Sequence, residues 1–255
     1  MAKLSELGAR PPKIMVMGDF GTGKTALALT LGRHAKVFDF DDGLRTGLSL
    51  KDKFLESRKN VEVVSLLESD PKEATAFMKF QSYIGGIVSE CRAGTFGYRA
   101  VVVDGYTNLL DAAVRNTLKI HGKLGRSPEI QQWGAAFIDV DNVLFALKTL
   151  PLVVVLLCHT RRVFDSDGGV VGVELATPGK NLPQKVPSFF DEVWRLDVSA
   201  GKYVIQTQAS FECKCRSRSC VPDKTSVDLG LPEIMRQWMG YDIDKEVKKE
   251  EVKMK

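Results

Sequence analysis

The chain has 255 residues and a formal net charge of +4, with 44% hydrophobic residues, 27% charged residues, 22 Gly and 10 Pro. This composition excludes a disordered, collagen-like or disulfide-scaffold protein, and it fits one large α/β domain or such a domain with small additions. The charge is too small to demand or to exclude a polyanionic partner.

The five cysteines and the first residues indicate a reducing compartment. The cysteine count is odd, and residues 1–6 include an early acid with no apolar run behind it, so we expect no secretory leader. The longest apolar stretch, residues 150–158, is about half as long as a membrane span requires. We therefore predict a cytoplasmic protein without a membrane segment, and we interpret residues 150–158 as a buried strand.

Short β-branched runs alternate with helical patterns along the chain, which is typical of βαβ units around a parallel sheet. The predicted strands lie at residues 13–17, 35–40, 61–64, 99–104 and 151–158, followed by closing strands at 192–197, 202–206 and 210–214. The predicted helices lie at residues 24–31, 71–89, 107–120 and 137–147. The sequence thus predicts an α/β fold with a mostly parallel central sheet, flanking helices and antiparallel C-terminal strands.

The chain divides into three predicted regions. Residues 1–11 form an N-terminal extension, residues 12–240 form the domain, and residues 241–255 form a Lys/Glu-rich flexible tail. Within the domain, residues 164–187 contain several Gly and Pro and little hydrophobic periodicity, which indicates a long loop or hairpin of the kind retained for function.

Residues 18–25 match G-x-x-x-x-G-K-[ST], the P-loop motif, between a predicted strand and a predicted helix. Glycines let the backbone N–H groups face phosphates, and the helix N-terminus adds partial positive charge. Lys24 supplies a cation for the β- and γ-phosphates, and Thr25 supplies a hydroxyl ligand for Mg²⁺. The predicted nucleotide-binding residues are Gly18, Asp19, Phe20, Gly21, Thr22, Gly23, Lys24, Thr25 and Ala26.

Acidic residues end two of the predicted parallel strands. Asp104 follows the apolar run 101–103, where its carboxylate is placed to bind the same magnesium ion, so Thr25 and Asp104 are the predicted metal ligands. Asp41 or Asp42, after the strand that follows the P-loop helix, is placed to orient or deprotonate an attacking water. A helix cap or a loop acid is an equally good interpretation of this pair.

Five stretches resemble the RecA-like ATPase core, and most closely the phage RecA-core proteins that act as single-strand annealing recombinases. They are residues 18–25, 98–105, 129–134, 157–160 and 187–193. The resemblance spans about residues 12–235 and implies a Mg²⁺-dependent ATPase of phage DNA recombination in the cytoplasm of an infected bacterium. It further implies that the protein binds single-stranded DNA, associates with itself into a ring or filament, and meets a single-strand-binding protein.

The resemblance also assigns roles to individual residues. Asp41 takes the place of the catalytic acid, where the family usually has Glu, and Asp42 is the alternative. His159 matches the polar residue that senses the γ-phosphate and relays its presence to the DNA-binding loops. Lys214 and Arg216 match the K-x-R finger that enters a neighbour's nucleotide site, where a guanidinium stabilises transition-state charge. A basic surface strand is the other interpretation of these two residues.

Two basic loops, about residues 119–128 and about residues 161–185, are the DNA-facing loops by the same resemblance. Their cations are Lys119, His121, Lys123, Arg126, Arg161, Arg162, Lys180 and Lys185. Contacts from such cations to phosphates need no sequence readout. Trp133 or Phe164 is placed either to stack on bases or to pack in the fold.

Other features leave alternatives open. Cys213, Cys215 and Cys220 make an incomplete tetrahedral set, so we expect reduced thiols that bind no metal. A ring helicase or translocase shares the same core but usually carries a further domain. A small-molecule phosphotransferase would need a mobile lid, for which only residues 161–185 are available.

Overall fold

The computed structural model describes residues 10–44, 54–70, 72–179, 181–210 and 213–245. The strands in these ranges are β1 Lys13–Gly18, β2 Ala35–Asp39, β3 Glu62–Ser65, β4 Ala100–Asp104, β5 Val153–Phe164, β6 Val170–Leu175, β7 Glu192–Ser199, β8 Lys202–Gln206, β9 Arg216–Ser217 and β10 Thr225–Ser226. The helices are α1 Lys24–Leu29, α2 Leu55–Lys59, α3 Ala76–Ala93, α4 Tyr106–Ile120, α5 Ile130–Thr149, α6 Leu182–Lys185 and α7 Leu231–Trp238. Short 3₁₀ turns lie at Gly32–His34, Val186–Phe189 and Val227–Leu229.

The central sheet has the strand order β10-β8-β7-β1-β5-β4-β2-β3. The strands from β7 to β3 in this order are parallel to their neighbours, whereas β8 and β9 pair with β7 and β10 pairs with β8 in antiparallel fashion. The predicted α/β fold with a mostly parallel sheet and antiparallel closing strands is therefore confirmed. Because the strands are parallel, the carboxyl ends of β1, β2, β4 and β5 share one edge of the sheet.

Two apolar layers cover the sheet, one on each face. Strand β1 shows the alternation: Ile14 and Val16 belong to the layer with α1 and α7, and Met15 and Met17 to the layer with α3, α4 and α5. Both faces of the central strands are buried, which explains their continuous β-branched runs. Truncating a buried Leu or Phe in such a layer costs about 2–5 kcal/mol.

Local sequence explains where several helices begin and end. Helix α5 starts seven residues before the predicted helix because Glu129 and Gln132 form a capping box at Ile130. Helix α3 ends at Gly94, which adopts a left-handed conformation with φ of 68°. Helix α7 starts at Leu231 with a proline in its first turn.

Strand β5 extends beyond the sheet edge. Its last partner in β1 is Gly18, opposite His159, and residues 160–164 then pair with β6 in an antiparallel hairpin. Residues 164–187 were predicted to form either a long loop or a hairpin. The segment begins as a hairpin, and the tip of this hairpin lies at residues 165–169. A lid of the kind a phosphotransferase needs would have to be built from this paired structure.

The closing strand predicted at 210–214 is wrong in position, as far as its described residues show. Strand β9 begins only at Arg216, because the backbone bends where the N–H of Cys215 donates to the carbonyl of Cys213 at 3.2 Å. Lys214 therefore precedes the strand, and of the two predicted finger residues only Arg216 lies on it.

The described start of the predicted tail packs on the domain. Ile243 is buried, and its carbonyl accepts a hydrogen bond of 2.7 Å from the guanidinium of Arg99. Residues 246–255 and most of the predicted N-terminal extension, residues 1–9, lie outside the described ranges. Of the helices that can be described, none is long and apolar enough to span a bilayer.

Candidate functional site

A cavity of about 670 Å³ opens at the carboxyl edge of the sheet, between the P-loop and the start of α7. Its described lining comprises Phe20, Gly21, Thr22, Gly23, Lys24, Thr25, Ala26, Asp41, Gly43, Phe54, Arg58, Asp104, His159, Tyr203, Val227 and Asp228. The structure thus brings the P-loop together with Asp41, Asp104 and His159, three of the predicted site residues.

The P-loop runs from the end of β1 to the start of α1. Gly23 caps the helix with φ of 89°, a conformation that favours glycine, and a Cβ there would lie 3.4 Å from the ring of Tyr203. The side chain of Thr22 closes the turn by donating to the carbonyl of Asp19 at 2.8 Å. The first residues of α1 line the cavity, and their N–H groups have no partner within the helix, so a bound phosphate would satisfy them.

Lys24 is buried at the base of the P-loop. Its Nζ donates to the carbonyl oxygens of Gly18 and Asp19, both at 2.8 Å. Burial lowers the pKa of Lys24, and the carboxylates of Asp104, Asp41 and Asp19 oppose that effect. The ammonium is held by neutral carbonyls, so an anionic phosphate would be a stronger partner.

Thr25 and Asp104, the two predicted metal ligands, lie side by side. Thr25 Oγ1 donates to Asp104 Oδ2 at 2.8 Å, and Asp104 is only 3% exposed. Burial raises the pKa of Asp104 to about 6, against the hydrogen bond from Thr25 and the charge of Lys24. A hydroxyl and a carboxylate side by side are hard oxygen donors, so this pair fits Mg²⁺.

The acidic residues at the end of β2 and directly after it differ in their surroundings. Asp39 is buried at the strand end, and its Oδ1 accepts the backbone N–H of Asp41 at 2.9 Å. Burial raises the pKa of Asp39. Asp41 then faces the cavity, whereas Asp42 is exposed, has φ of 53° and lies outside the lining. The geometry thus favours Asp41 over Asp42 as the acid of the site.

His159 and Thr160 connect the P-loop to the base of the β5–β6 hairpin. His159 Nε2 lies 3.2 Å from Asp41 Oδ2, and the His159 ring stacks on Phe20 with 4.2 Å between ring centroids. The hydroxyl of Thr160 donates to Asp19 Oδ1. A conformational change in the P-loop would therefore act directly on the first residues of the hairpin.

The other end of the cavity is aromatic and apolar. Tyr203 from β8 covers Gly23, and Phe54 lies against Gly230 at the start of α7. Val227 also lines the cavity. Flat rings and an apolar side chain beside a P-loop can accommodate a nucleobase by stacking.

The predicted finger residues lie away from this cavity. Arg216 pairs with Val193 near the start of β7, and its guanidinium donates to the carbonyls of Pro187, at 3.0 Å, and Phe190. Lys214 is exposed. Neither residue lines the cavity of its own chain in the part of the protein that the structure describes.

The basic residues of the two predicted DNA-facing loops differ in how they are held. Several are engaged within the chain: Lys119 by the Glu73 carbonyl, His121 by the Thr117 carbonyl, Lys123 by Glu129, Arg161 by Glu174, and Lys185 by Asp141. Arg126 and Arg162 are exposed, and Lys180 lies outside the described residues. Trp133 packs against Phe137, whereas Phe164 on the hairpin is 59% exposed.

The cysteines do not converge on a metal site in the described ranges. Cys213 and Cys215 are buried with their sulfur atoms 3.6 Å apart, whereas Cys220 is exposed. No group of three His, Cys, Asp or Glu side chains suited to a metal occurs among the described residues.

Several cavity residues could not be predicted from the sequence. Tyr203, Phe54, Arg58, Val227 and Asp228 come from segments with no motif, and only the fold brings them to the P-loop. Asn108, which contacts Asp41, was also missed. Its position four residues after Asp104, in the first turn of the next helix, is the signal that would have indicated it.

A strand–P-loop–helix unit, an acid at the end of a neighbouring parallel strand and a cavity between them define a P-loop NTPase core. The chain matches the AAA domain family over residues 10–219 and belongs to that family. The domain is accordingly a nucleotide-binding domain of the ATPase type. No curated protein matches the sequence.

Proposed function

We propose that the protein is a Mg²⁺-dependent ATPase that binds single-stranded DNA and promotes annealing or strand exchange in phage DNA recombination. The observation that supports its enzymatic part most is the convergence of Lys24, Thr25, Asp104 and Asp41 on one cavity beside the P-loop. These residue types serve charge stabilisation, metal binding and water activation in phosphoryl transfer.

The chain's own residues divide the work of hydrolysis in this proposal. Asp41 accepts a proton from water as the water oxygen attacks the γ-phosphorus, and the bond to the β–γ bridging oxygen breaks to release ADP. Lys24 and the N–H groups of the P-loop stabilise the charge on the phosphate oxygens. Thr25 and Asp104 would hold Mg²⁺, which when bound neutralises phosphate charge.

ATP is oriented by both ends of the cavity. The phosphates lie along the P-loop, and the base reaches the wall formed by Tyr203 and Phe54. Stacking of a base on an aromatic ring contributes about 1–3 kcal/mol. The aromatic wall thus contributes affinity without taking part in the chemistry.

The β5–β6 hairpin supports the DNA part of the proposal. It rises from the strand that carries His159, and it presents Arg162 and Phe164 to solvent. An exposed cation and an exposed ring suit a single strand, whose phosphates and unstacked bases are both accessible. A strand bound to the hairpin would act on His159 and Thr160 at its base. Because His159 stacks on Phe20 and Thr160 donates to Asp19, the effect would extend to the P-loop.

Self-association into a ring or filament is part of the same proposal. Exposed Lys214 is accessible to a neighbouring copy, whereas Arg216 would have to leave the carbonyls of Pro187 and Phe190. Light scattering with and without ATP and single-stranded DNA tests it: a mass that rises with both ligands supports assembly, and an unchanged mass contradicts it.

Phosphate release tests the enzymatic part. Wild-type protein with Mg²⁺ and ATP is expected to release phosphate, and Lys24→Ala is expected to lower that rate at least about 10²-fold. Binding of a labelled single strand at moderate salt tests the DNA part. A wild-type chain that fails to hydrolyse ATP, or that fails to bind the strand, would contradict the proposed function.

A further inference from the structure

The first turn of α4 holds the carboxylate of Asp41. Asn108 Nδ2 donates to Asp41 Oδ1 at 2.8 Å and to the carbonyl oxygen of Phe40 at 3.1 Å. The carbonyl oxygen of Phe40 can only accept, so the chemistry fixes which end of the amide faces the two oxygens. With His159 Nε2 3.2 Å from Oδ2, each carboxylate oxygen of Asp41 meets a side chain from a different element.

Gly105 brings this turn close enough for the contact. Its φ is 92°, and a Cβ at this position would lie 3.1 Å from Asp41 Cβ and 3.3 Å from Phe40 Cβ. Only glycine meets both demands without strain. The close approach of the two backbones places Asn108, at the third position of α4, within reach of Asp41.

The same arrangement fixes the tautomer of neutral His159. An ionised Asp41 carboxylate can only accept, so the 3.2 Å contact requires the proton on Nε2. His159 Nδ1 is buried and has no hydrogen-bond partner among the described residues. No described acceptor at Nδ1 competes for the ring proton, so nothing there opposes this tautomer.

We propose that Asn108 is a positioning residue for ATP hydrolysis, which holds Asp41 in the orientation in which Asp41, and not Asp42, meets the attacking water. The inference rests on the proposed function. Asn108 does not line the cavity. Its removal should therefore lower the rate of the chemical step and leave nucleotide affinity nearly unchanged.

Two variants test the role. Asn108→Asp keeps the shape and loses the amide donor, and Asn108→Ala removes the side chain. We expect kcat for ATP to fall about 10- to 100-fold in both, with the Kd of a fluorescent ATP analogue changed by less than about threefold. Asn142→Ala is the matched control because Asn142 is an exposed asparagine on α5, and it should retain wild-type kcat and Kd.

The ¹⁵N spectrum of the histidines in the wild-type protein gives a readout that needs no folded variant at position 108. The His159 signals, assigned with His159→Gln, are expected to show the proton on Nε2. A neutral ring with its proton on Nδ1 would overturn the proposed geometry around Asp41.

The outcomes separate the inference from the proposed function. Wild-type hydrolysis with unchanged kcat in folded Asn108→Asp and Asn108→Ala would overturn the role of Asn108 alone. An equal loss of kcat and affinity would do the same, since it would indicate a general structural effect. Absence of wild-type hydrolysis would overturn the proposed function and this inference with it.

Discussion

Thr25 Oγ1 donates a hydrogen bond of 2.8 Å to Asp104 Oδ2, joining the first turn of α1 to the carboxyl end of β4. The bond keeps a buried carboxylate beside the P-loop, at the cost of the solvation that Asp104 loses. Burial of the Asp104 carboxylate at the candidate metal site therefore lowers the stability of the fold.

Asp104→Asn should remove this cost. The pKa of Asp104 is about 6 in the folded chain against 3.8 for an exposed carboxyl, so between these values the folded chain binds the proton more tightly. Stability consequently falls as pH rises through this window, and the loss is complete above about pH 6. Relative to wild type, the Asn variant should gain about 1 kcal/mol in free energy of unfolding between about pH 5 and about pH 7.5.

Denaturant unfolding in the presence of a chelator measures this gain. The exposed Asp167→Asn serves as the control and should show no gain. The same Asp104→Asn protein should lose Mg²⁺-dependent hydrolysis. Equal pH dependence in wild type and Asp104→Asn would show that Asp104 titrates as an exposed carboxyl.

Gly105→Ala tests the close packing behind Asp41. The left-handed conformation costs an alanine about 1–2 kcal/mol, and the added Cβ would press on Asp41 and Phe40. Gly94→Ala is a matched control because Gly94 is also left-handed but has open space around it. Thermal unfolding should show losses in both variants, larger at Gly105, while only Gly105→Ala should lose hydrolysis. Equal rates of ATP hydrolysis in Gly105→Ala and Gly94→Ala would contradict the proposed packing of Gly105 against Asp41.

Tyr203→Ala tests the aromatic wall as a base site. Loss of stacking should raise the Kd for ATP about tenfold with little change in kcat, as measured by titration and steady-state kinetics. Tyr203 is 44% exposed and Tyr83 on α3 is 42% exposed, so Tyr83→Ala is a control of similar exposure. If both variants bound ATP equally well, the base would have to lie elsewhere.

Much of the fold could be predicted because its central strands are buried on both faces. Strands β1 and β4 were predicted to within one residue from unbroken β-branched and apolar runs. The extension of β5 to Phe164 could not be predicted, since residues 160–164 pair outside the sheet and show no burial pattern. The bend at Cys213–Cys215 likewise has no local sequence signal.

The site was predictable where its chemistry lies in consecutive residues. The P-loop fixes Lys24 and Thr25 by spacing alone, and the apolar run before Asp104 marks a strand end. Tyr203 reaches Gly23 only through the pairing of β8 with β7, which no short motif encodes. The choice between Asp41 and Asp42 depended on backbone geometry, with Asp42 in a left-handed conformation facing solvent.

The hairpin gives a prediction about salt. Arg162→Ala should weaken single-strand binding and lower the slope of log K against log salt by about 0.7, the value for one lost phosphate contact on a single strand. Fluorescence anisotropy over a salt series measures the slope. Arg92→Ala, which removes an exposed arginine on α3 instead, is the control, and an equal weakening of binding by both variants would assign the effect to net charge.

The most direct test of the account is the rate of phosphate release by the wild-type protein with Mg²⁺ and ATP, measured with and without single-stranded DNA. The account predicts hydrolysis that the strand accelerates and that Lys24→Ala abolishes in both conditions. A rate that is the same with and without the strand, or that persists in Lys24→Ala, would contradict it.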